Sequence, residues 1–315
     1  GSVEMWFVIY AAINIIVIWF GVENGIERVS KFLMPVLVAL ALFIAIYSST
    51  RPGAAAGIRY FLVPDFSNFS IMTLVAAFGQ MFYSMSIAMG ILITYGSYMK
   101  KDVNIETSSY QIAAFDTGVA ILGGFMIIPA VFAFSGGDVN ALLQKGPSLT
   151  FVTLPKVFLN MKGGQFVAVC FFFMFFLAAL TSSISLFETC ISTVGDETRL
   201  SRRKSIAAVC LITLALGTMS AFGYGIWDKV RIAGMQFLDF FDFLSNSIML
   251  PIASLFTVVL ILAHVGVDRI KGEVLSSSPF KSKRLYDLVI RFVAPPVIAI
   301  VLVSSILDAF GVLKI

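Results

Sequence analysis

One apolar stretch of the sequence, residues 70–99, is interrupted by small and hydroxyl-bearing residues at Gly79–Gly90. If the chain unwinds there, carbonyls ending a first half-helix suit a cation, and amides starting a second half-helix near Ala88 suit an anionic group. Unwound backbone is tolerated in an apolar medium only where it lines a cavity. The stretch is therefore predicted to be a broken helix with a ligand site. The alternative is that the small residues only permit close helix packing.

A second group of oxygen donors lies in Ala178–Ser185, where Thr181, Ser182 and Ser183 follow two alanines and a leucine. Sodium is a hard cation, and hydroxyl and carbonyl oxygens can bind it without adding a fixed charge. The alternative is that these hydroxyls donate to carbonyls of their own helix, which is common. Both interpretations stay open from the residues alone.

Three acids lie in or beside apolar stretches, where an ionisable group is costly and marks a candidate pathway. Asp239 and Asp242 begin one stretch, and an acid at a helix start is often merely favoured by the helix dipole. Asp116 is flanked by Ala113 and Gly118 and has few polar neighbours. We predict an internal charge role for Asp116.

Composition shows which elements must position these residues. The chain is 59% hydrophobic and 13% charged, with a mean hydropathy of +0.95. Its hydrophobic share is far above that of soluble domains. A bilayer span needs about 20 mainly apolar residues, and hydrogen-bond satisfaction in lipid makes each span a helix. The sequence predicts an all-α membrane protein with eight transmembrane helices. The predicted spans are Met5–Phe20, Leu33–Ser48, Ser70–Met99, Thr107–Phe134, Gly164–Ile191, Lys204–Phe222, Phe240–His264 and Leu285–Leu307.

The net charge of +4 does not indicate a nucleic-acid partner, because the cations fall in loops between apolar stretches. Fourteen of the 22 Lys and Arg residues lie in alternate loops, which the positive-inside rule assigns to the cytoplasm. Both ends of the chain are then predicted to lie outside.

Residues 1–2 resemble a cloning remnant, and residues 3–315 are predicted to form a single transmembrane domain with outer loops at 50–69 and 135–163. Ser192–Lys204 is interpreted as a charged turn and Gly266–Lys283 as a longer polar loop. The second outer loop contains the apolar stretch Leu149–Leu159, which predicts short helices that fold onto the membrane domain as a lid. A loosely packed surface loop is the alternative.

Several short motifs, taken in order, resemble the neurotransmitter:sodium symporter family. They are Gly25–Arg28 followed by Pro35, Gly79–Gly90, Gly146-Pro147, Thr153–Pro155, Leu180–Ile184, Leu238-Asp239 and Asp242-Phe243. Their order and spacing agree with the fourth to eleventh helices of that family, over essentially the whole chain. The resemblance implies an inverted-repeat, broken-helix transporter fold, as in the bacterial leucine transporter, without counterparts of the first three helices.

The resemblance further implies sodium-coupled amino-acid symport by alternating access in the bacterial inner membrane, without enzymatic chemistry. Carried over by position, Tyr83 is the aromatic gate over the substrate. The substrate-binding positions are Tyr83, Ser84, Ser86, Met89, Ser182 and Leu186.

The resemblance also assigns ligands to two sodium ions. Ser84 is a hydroxyl ligand of the first ion, and the second is held by the Ala178 carbonyl with the Thr181 and Ser182 hydroxyls. Asp242 matches the acid of the outer gate. Because the family's first helix supplies the remaining ligands, both sodium sites are expected to be absent or incomplete in this chain, with the missing N-terminal helices acting as partners.

Departures from the family pattern refine these expectations. Met89 stands where the family usually has an aromatic residue, and Ala88 replaces a glycine, which favours a large apolar or aromatic amino acid. Phe115 stands at a position where the family has an asparagine, with Asp116 beside it. We take Asp116 as an internal carboxylate that compensates charge, which predicts independence from chloride.

Other interpretations remain. The chain could be a non-transporting assembly, dimeric or domain-swapped, that covers an exposed apolar face. The parent protein could instead be proton-coupled, with Asp116 or Glu188 as the titrating group. An enzyme is disfavoured, because the one histidine, His264, has no acid or cysteine cluster at metal-binding spacing.

Overall fold

In the computed structural model, the described residues are 3–135, 149–223 and 225–309, and every regular element among them is a helix. The helices are α1 (Val3–Trp19), α2 (Val22–Ser49), α3 (Ala54–Leu62), α4 (Ile71–Ser84), α5 (Ile91–Ser97), α6 (Ile105–Ser135), α7 (Leu149–Leu159), α8 (Gly164–Thr198), α9 (Arg202–Gly223), α10 (Phe237–Val265), α11 (Val267–Ser277) and α12 (Lys283–Ser304). The predicted all-α class is confirmed.

Six of these helices are long and apolar enough to cross a membrane: α2, α6, α8, α9, α10 and α12. The other two predicted spans coincide with α1, which has 17 residues, and with the pair α4 and α5. The count of eight spans therefore stays a prediction. Large apolar side chains face outward from the long helices, including Leu211 (73% exposed) and Phe256 (69%). Such outward apolar surface suits contact with lipid.

The helices form two compact units. The first contains α1, α4, α5, the start of α6, the end of α8 and α9 to α12. The second contains α2, α3, the rest of α6, α7 and the first part of α8.

The core of the second unit is built around the short helix α7. Leu154, Val157 and Phe158 are fully buried and join an apolar cluster with residues of α2, α6 and α8. The short helix predicted for Leu149–Leu159 is thus present and packed. Residues 136–148 of the same predicted outer loop lie outside the described residues, and its action as a lid stays a prediction.

The segment 50–69, predicted as an outer loop, contains the helix α3. Gly53, with φ +86°, turns the chain, and three alanines then favour the helix α3. Gly57 lets α3 approach α6 closely, because a Cβ there would lie 2.9 Å from the Cα of Pro129. Close packing, which composition does not show, orders this segment.

Two segments predicted to lie inside also differ from expectation in their secondary structure. The predicted charged turn at Ser192–Lys204 is mostly helical, since α8 continues to Thr198 and α9 begins at Arg202. The predicted polar loop Gly266–Lys283 contains α11. Its buried residues Val267, Lys271 and Val274 recur at helical spacing, which gives the helix one packed face.

Lys271 attaches α11 to α12. Its side chain is 8% exposed, and its Nζ lies 2.7 Å from Asp268 and 2.8 Å from Asp287. A buried ammonium is stable only when it is paired, so both carboxylates hold it in place.

The Lys271 pairs should make the attachment of α11 depend on pH. The hydrogen bond from Lys271 lowers the pKa of Asp268, and hydrogen bonds to Asp268 and Asp287 raise the pKa of Lys271. Stability from the acid is lost as pH falls below its ordinary pKa of about 3.9, and stability from the lysine is lost as pH rises above about 10.4. We expect hydrogen-exchange protection of α11 to be greatest between about pH 5 and pH 9. Equal pH dependence in Lys271→Met and wild type would contradict this assignment.

Candidate substrate and sodium site

The helix that the sequence predicts to be broken is interrupted between Ser84 and Ile91. Ser86, Ala88 and Gly90 have φ values of +54°, +63° and +79°. The break is confirmed, but the second half-helix begins at Ile91 rather than near Ala88, because the left-handed residues cannot continue an α-helix. Each left-handed non-glycine residue costs about 1–2 kcal/mol, and such strain concentrates at functional sites.

Four of the predicted substrate residues lie on this break or just before it. Tyr83 (52% exposed) and Ser84 are exposed, whereas Ser86 and Met89 are half-buried. Met89 packs against an apolar cluster that includes Phe82. The break therefore presents an aromatic ring, two hydroxyls and a flexible thioether within one short segment.

The second half-helix, α5, packs against α8. A Cβ at Gly90 would lie 2.8 Å from the methyl group of Thr189, so only glycine fits. The Tyr95 hydroxyl donates to the Ser185 hydroxyl at 2.8 Å. Leu186, a predicted substrate residue, follows Ser185 on α8 and is 44% exposed.

A buried ion pair lies at the end of the contact between α5 and α8. Glu188 is fully buried and accepts two hydrogen bonds from Arg202, at 2.9 and 2.8 Å. The Tyr98 hydroxyl donates to the same carboxylate at 3.0 Å, and Arg202 also donates to the carbonyl of Ile18 at 3.2 Å. The cluster of Ile18, Tyr98, Glu188 and Arg202 thus joins α1, the end of α5, α8 and α9.

Sequence reasoning missed most of this cluster. It named Glu188 only as a possible titrating group, and it counted Arg202 as a loop cation. A lone acid deep in an apolar helix was the available signal, since such a group requires a cation partner.

Thr181 is a buried residue of the second unit, and its side chain ends in a hydroxyl group. It donates to the carbonyls of Leu177 and Ala178, both at 3.1 Å, which is the local bonding considered above as an alternative. The oxygens of Ala178 and Thr181 are adjacent as a result. Ser182, the third predicted ligand, is exposed.

The two predicted acids differ in their surroundings. Asp116, in the second unit, is half-buried in α6. Asp242, in the first unit, is exposed near the start of α10 and accepts a hydrogen bond of 2.6 Å from Asn246.

A model of the sodium:neurotransmitter symporter family matches residues 1–312. The chain belongs to this family. It is 33% identical to an uncharacterized sodium-dependent transporter of Haemophilus influenzae, over 95% of the chain and 64% of the relative. A sodium-dependent transporter of Bacillus subtilis is 31% identical, over 95% of the chain and 65% of that relative. The chain thus spans about two thirds of the length of these relatives.

A solved structure, MhsT in complex with L-phenylalanine, superimposes on the symporter chain with a TM-score of 0.82. The two are 34% identical, and the match covers 96% of this chain and 68% of MhsT. The family prediction is confirmed, and with it the assignment to transporters rather than enzymes. The correspondence to helices four to eleven and the residue assignments stay predictions.

Proposed function

We propose that this chain is part of a sodium-coupled amino-acid symporter of the bacterial inner membrane, working by alternating access. The break between α4 and α5, in a chain of a sodium symporter family, carries the proposal. Unwound backbone supplies carbonyl and amide groups that can replace the hydration of an ion and a zwitterion without net added charge.

In this proposal the residues of the break contact the substrate. Tyr83 covers it, and Ser84 and Ser86 supply hydroxyls beside its polar end. Ser84 also binds the first sodium ion. Ser182 and Leu186 complete the contributions of α8, and Asp242 acts in the outer gate.

The second sodium ion is proposed to bind at Ala178, Thr181 and Ser182. Support comes from the adjacency of the Ala178 carbonyl and the Thr181 hydroxyl on one turn of α8. Oxygen ligands of this kind suit a hard monovalent cation.

A large apolar or aromatic amino acid is the proposed substrate. Met89 is half-buried at the break, and its flexible side chain can adapt to a bulky ligand. The structural relative MhsT, solved with L-phenylalanine, supports the same class.

Asp116 is proposed to balance the charge of bound sodium, so that chloride is not required. The support is its position: Asp116 is a half-buried carboxylate in an apolar helix of a sodium-symporter family chain, where a fixed negative charge can offset that of a bound cation. The proton-coupled alternative receives less support at Glu188, because Arg202 occupies both of its carboxylate oxygens.

The proposal is tested by binding of labelled L-phenylalanine, with and without sodium, to this chain and to a longer family protein that contains it. We expect sodium-dependent binding by the longer protein and little binding by the chain alone. In the longer protein, Thr181→Ala should raise the half-saturating sodium concentration about tenfold, the effect of losing one interaction with an ion.

Ser183→Ala is the matched control, since Ser183 lies in the same cluster of hydroxyl-bearing residues as Thr181 but is not a proposed ligand. Sodium-independent binding by the longer protein would overturn the coupling. Equal effects of the two substitutions would overturn the assignment of Thr181. A chain that binds nothing and forms a dimer in detergent would favour the non-transporting assembly for the chain itself.

A further inference from the structure

A groove of about 270 Å³ lies between the end of α5, the start of α6 and the end of α11, all within the first unit. Much of its wall is apolar, formed by Leu92, Met99, Val103, Ile105 and Ile112. None of the residues proposed to bind substrate or sodium lines it.

Two adjacent lysines give the groove its charge. Lys100 and Lys101 line it on a tight turn, closed by a 3.2 Å hydrogen bond from the Val103 amide to the Lys100 carbonyl. Within the described part of the chain, neither lysine forms an ion pair, whereas Arg202 and Lys271 both do. The two lysines are thus available to an anion from outside the chain.

The lysine ammonium groups are the donors that the lining offers to a phosphate group. Four serines also line the groove, and each hydroxyl donates to a backbone carbonyl three or four residues before it: Ser108, Ser109, Ser276 and Ser277. Glu273 is the only carboxylate that lines the groove, so the lining has a net positive charge. Strong donors beside apolar walls match a ligand with an anionic head and hydrocarbon tails.

The position along the helices adds a second constraint. The lysines come just before α6, a helix long and apolar enough to cross a membrane, and a position at the end of such a helix suits the headgroup region. Basic pockets between membrane helices at this depth bind acidic lipid headgroups. A soluble anion would use the lysines but leave the apolar walls uncovered.

We infer that this groove binds an acidic phospholipid of the surrounding membrane. The phosphate contacts Lys100 and Lys101, and an acyl chain lies along Leu92 and Ile112. This site is separate from the proposed transport function and does not depend on it.

Native mass spectrometry of the chain in mild detergent, titrated with phosphatidylglycerol or phosphatidylcholine, tests the inference. We expect saturable, preferential binding of phosphatidylglycerol. Because each lysine at an acidic membrane surface contributes about a factor of five, Lys100→Gln with Lys101→Gln should weaken phosphatidylglycerol binding about 25-fold. Glu273→Gln, which removes the one carboxylate of the lining, should tighten it.

The matched control is Lys283→Gln with Arg284→Gln, an exposed pair that removes the same charge but does not line the groove. Equal loss in both double variants would show a general charge effect and overturn the site. Equal affinity for the two lipids would also overturn it. Competition by inorganic phosphate as effective as that by the lipid would assign the groove to a soluble anion instead.

Discussion

Replacing Arg202 by methionine should lower the free energy of unfolding by about 3 kcal/mol. The substitution leaves the fully buried carboxylate of Glu188 without its cation, and an uncompensated buried charge is among the most costly defects in a protein. We place the loss at the lower end of the range because the Arg202 side chain is itself 40% exposed. Denaturant unfolding of the purified chain in mild detergent measures it.

Two further variants separate the ion pair from general effects of the substitution. Lys204→Met changes an exposed cation on the same helix and should be nearly neutral. Adding Glu188→Gln to Arg202→Met removes the buried charge and should recover most of the loss. If Arg202→Met is as stable as Lys204→Met, or if the double variant is less stable than Arg202→Met, the pair does not stabilise the fold as inferred.

Replacing Gly90 by alanine should cost about 2–4 kcal/mol, and it should weaken substrate binding by the longer protein. Gly90 has a φ of +79°, and a Cβ there would lie 2.8 Å from the Thr189 methyl group. The added methyl therefore meets both a backbone penalty and a steric clash with α8. Unfolding free energy and phenylalanine binding report the two effects.

Gly96→Ala provides the matched control on the same half-helix. Nothing lies within 4 Å of a Cβ at Gly96, so alanine should be neutral or stabilising by about 0.5–1 kcal/mol. Thr189→Ser removes the clashing methyl but keeps the hydroxyl, and it should partly rescue Gly90→Ala. If the effects of Gly90→Ala and Thr189→Ser on the unfolding free energy simply add in the double variant, the contact with Thr189 is unimportant.

The break in the helix was predictable because Gly79–Gly90 concentrates small residues within an apolar run. Its geometry was not, since Ser86 and Ala88 adopt left-handed backbone conformations that neither residue type favours. Those conformations cannot continue an α-helix, and α5 therefore starts at Ile91.

Helix α11 was missed although the sequence held a signal. Its polar composition suggested a loop, but Val267, Lys271 and Val274 follow helical spacing, and pairing with Asp287 makes burial of Lys271 possible. The Glu188 and Arg202 pair was less accessible to prediction. It depends on α8 continuing to Thr198, so that the connection to Arg202 is short.

The interrupted helix also bears on how the protein enters a membrane during synthesis. At 1.5 Å per residue, the 14 residues of α4 span about 21 Å and the seven of α5 about 10 Å, each less than the roughly 30 Å hydrocarbon layer. Neither half is long enough to be inserted as an independent span by the translocon. The hydrogen bonds of Tyr95 and Tyr98 anchor α5 to α8, which is translated some 90 residues later. We therefore expect α5 to reach its final depth only after α8 has been inserted, which makes the break a late step of biogenesis.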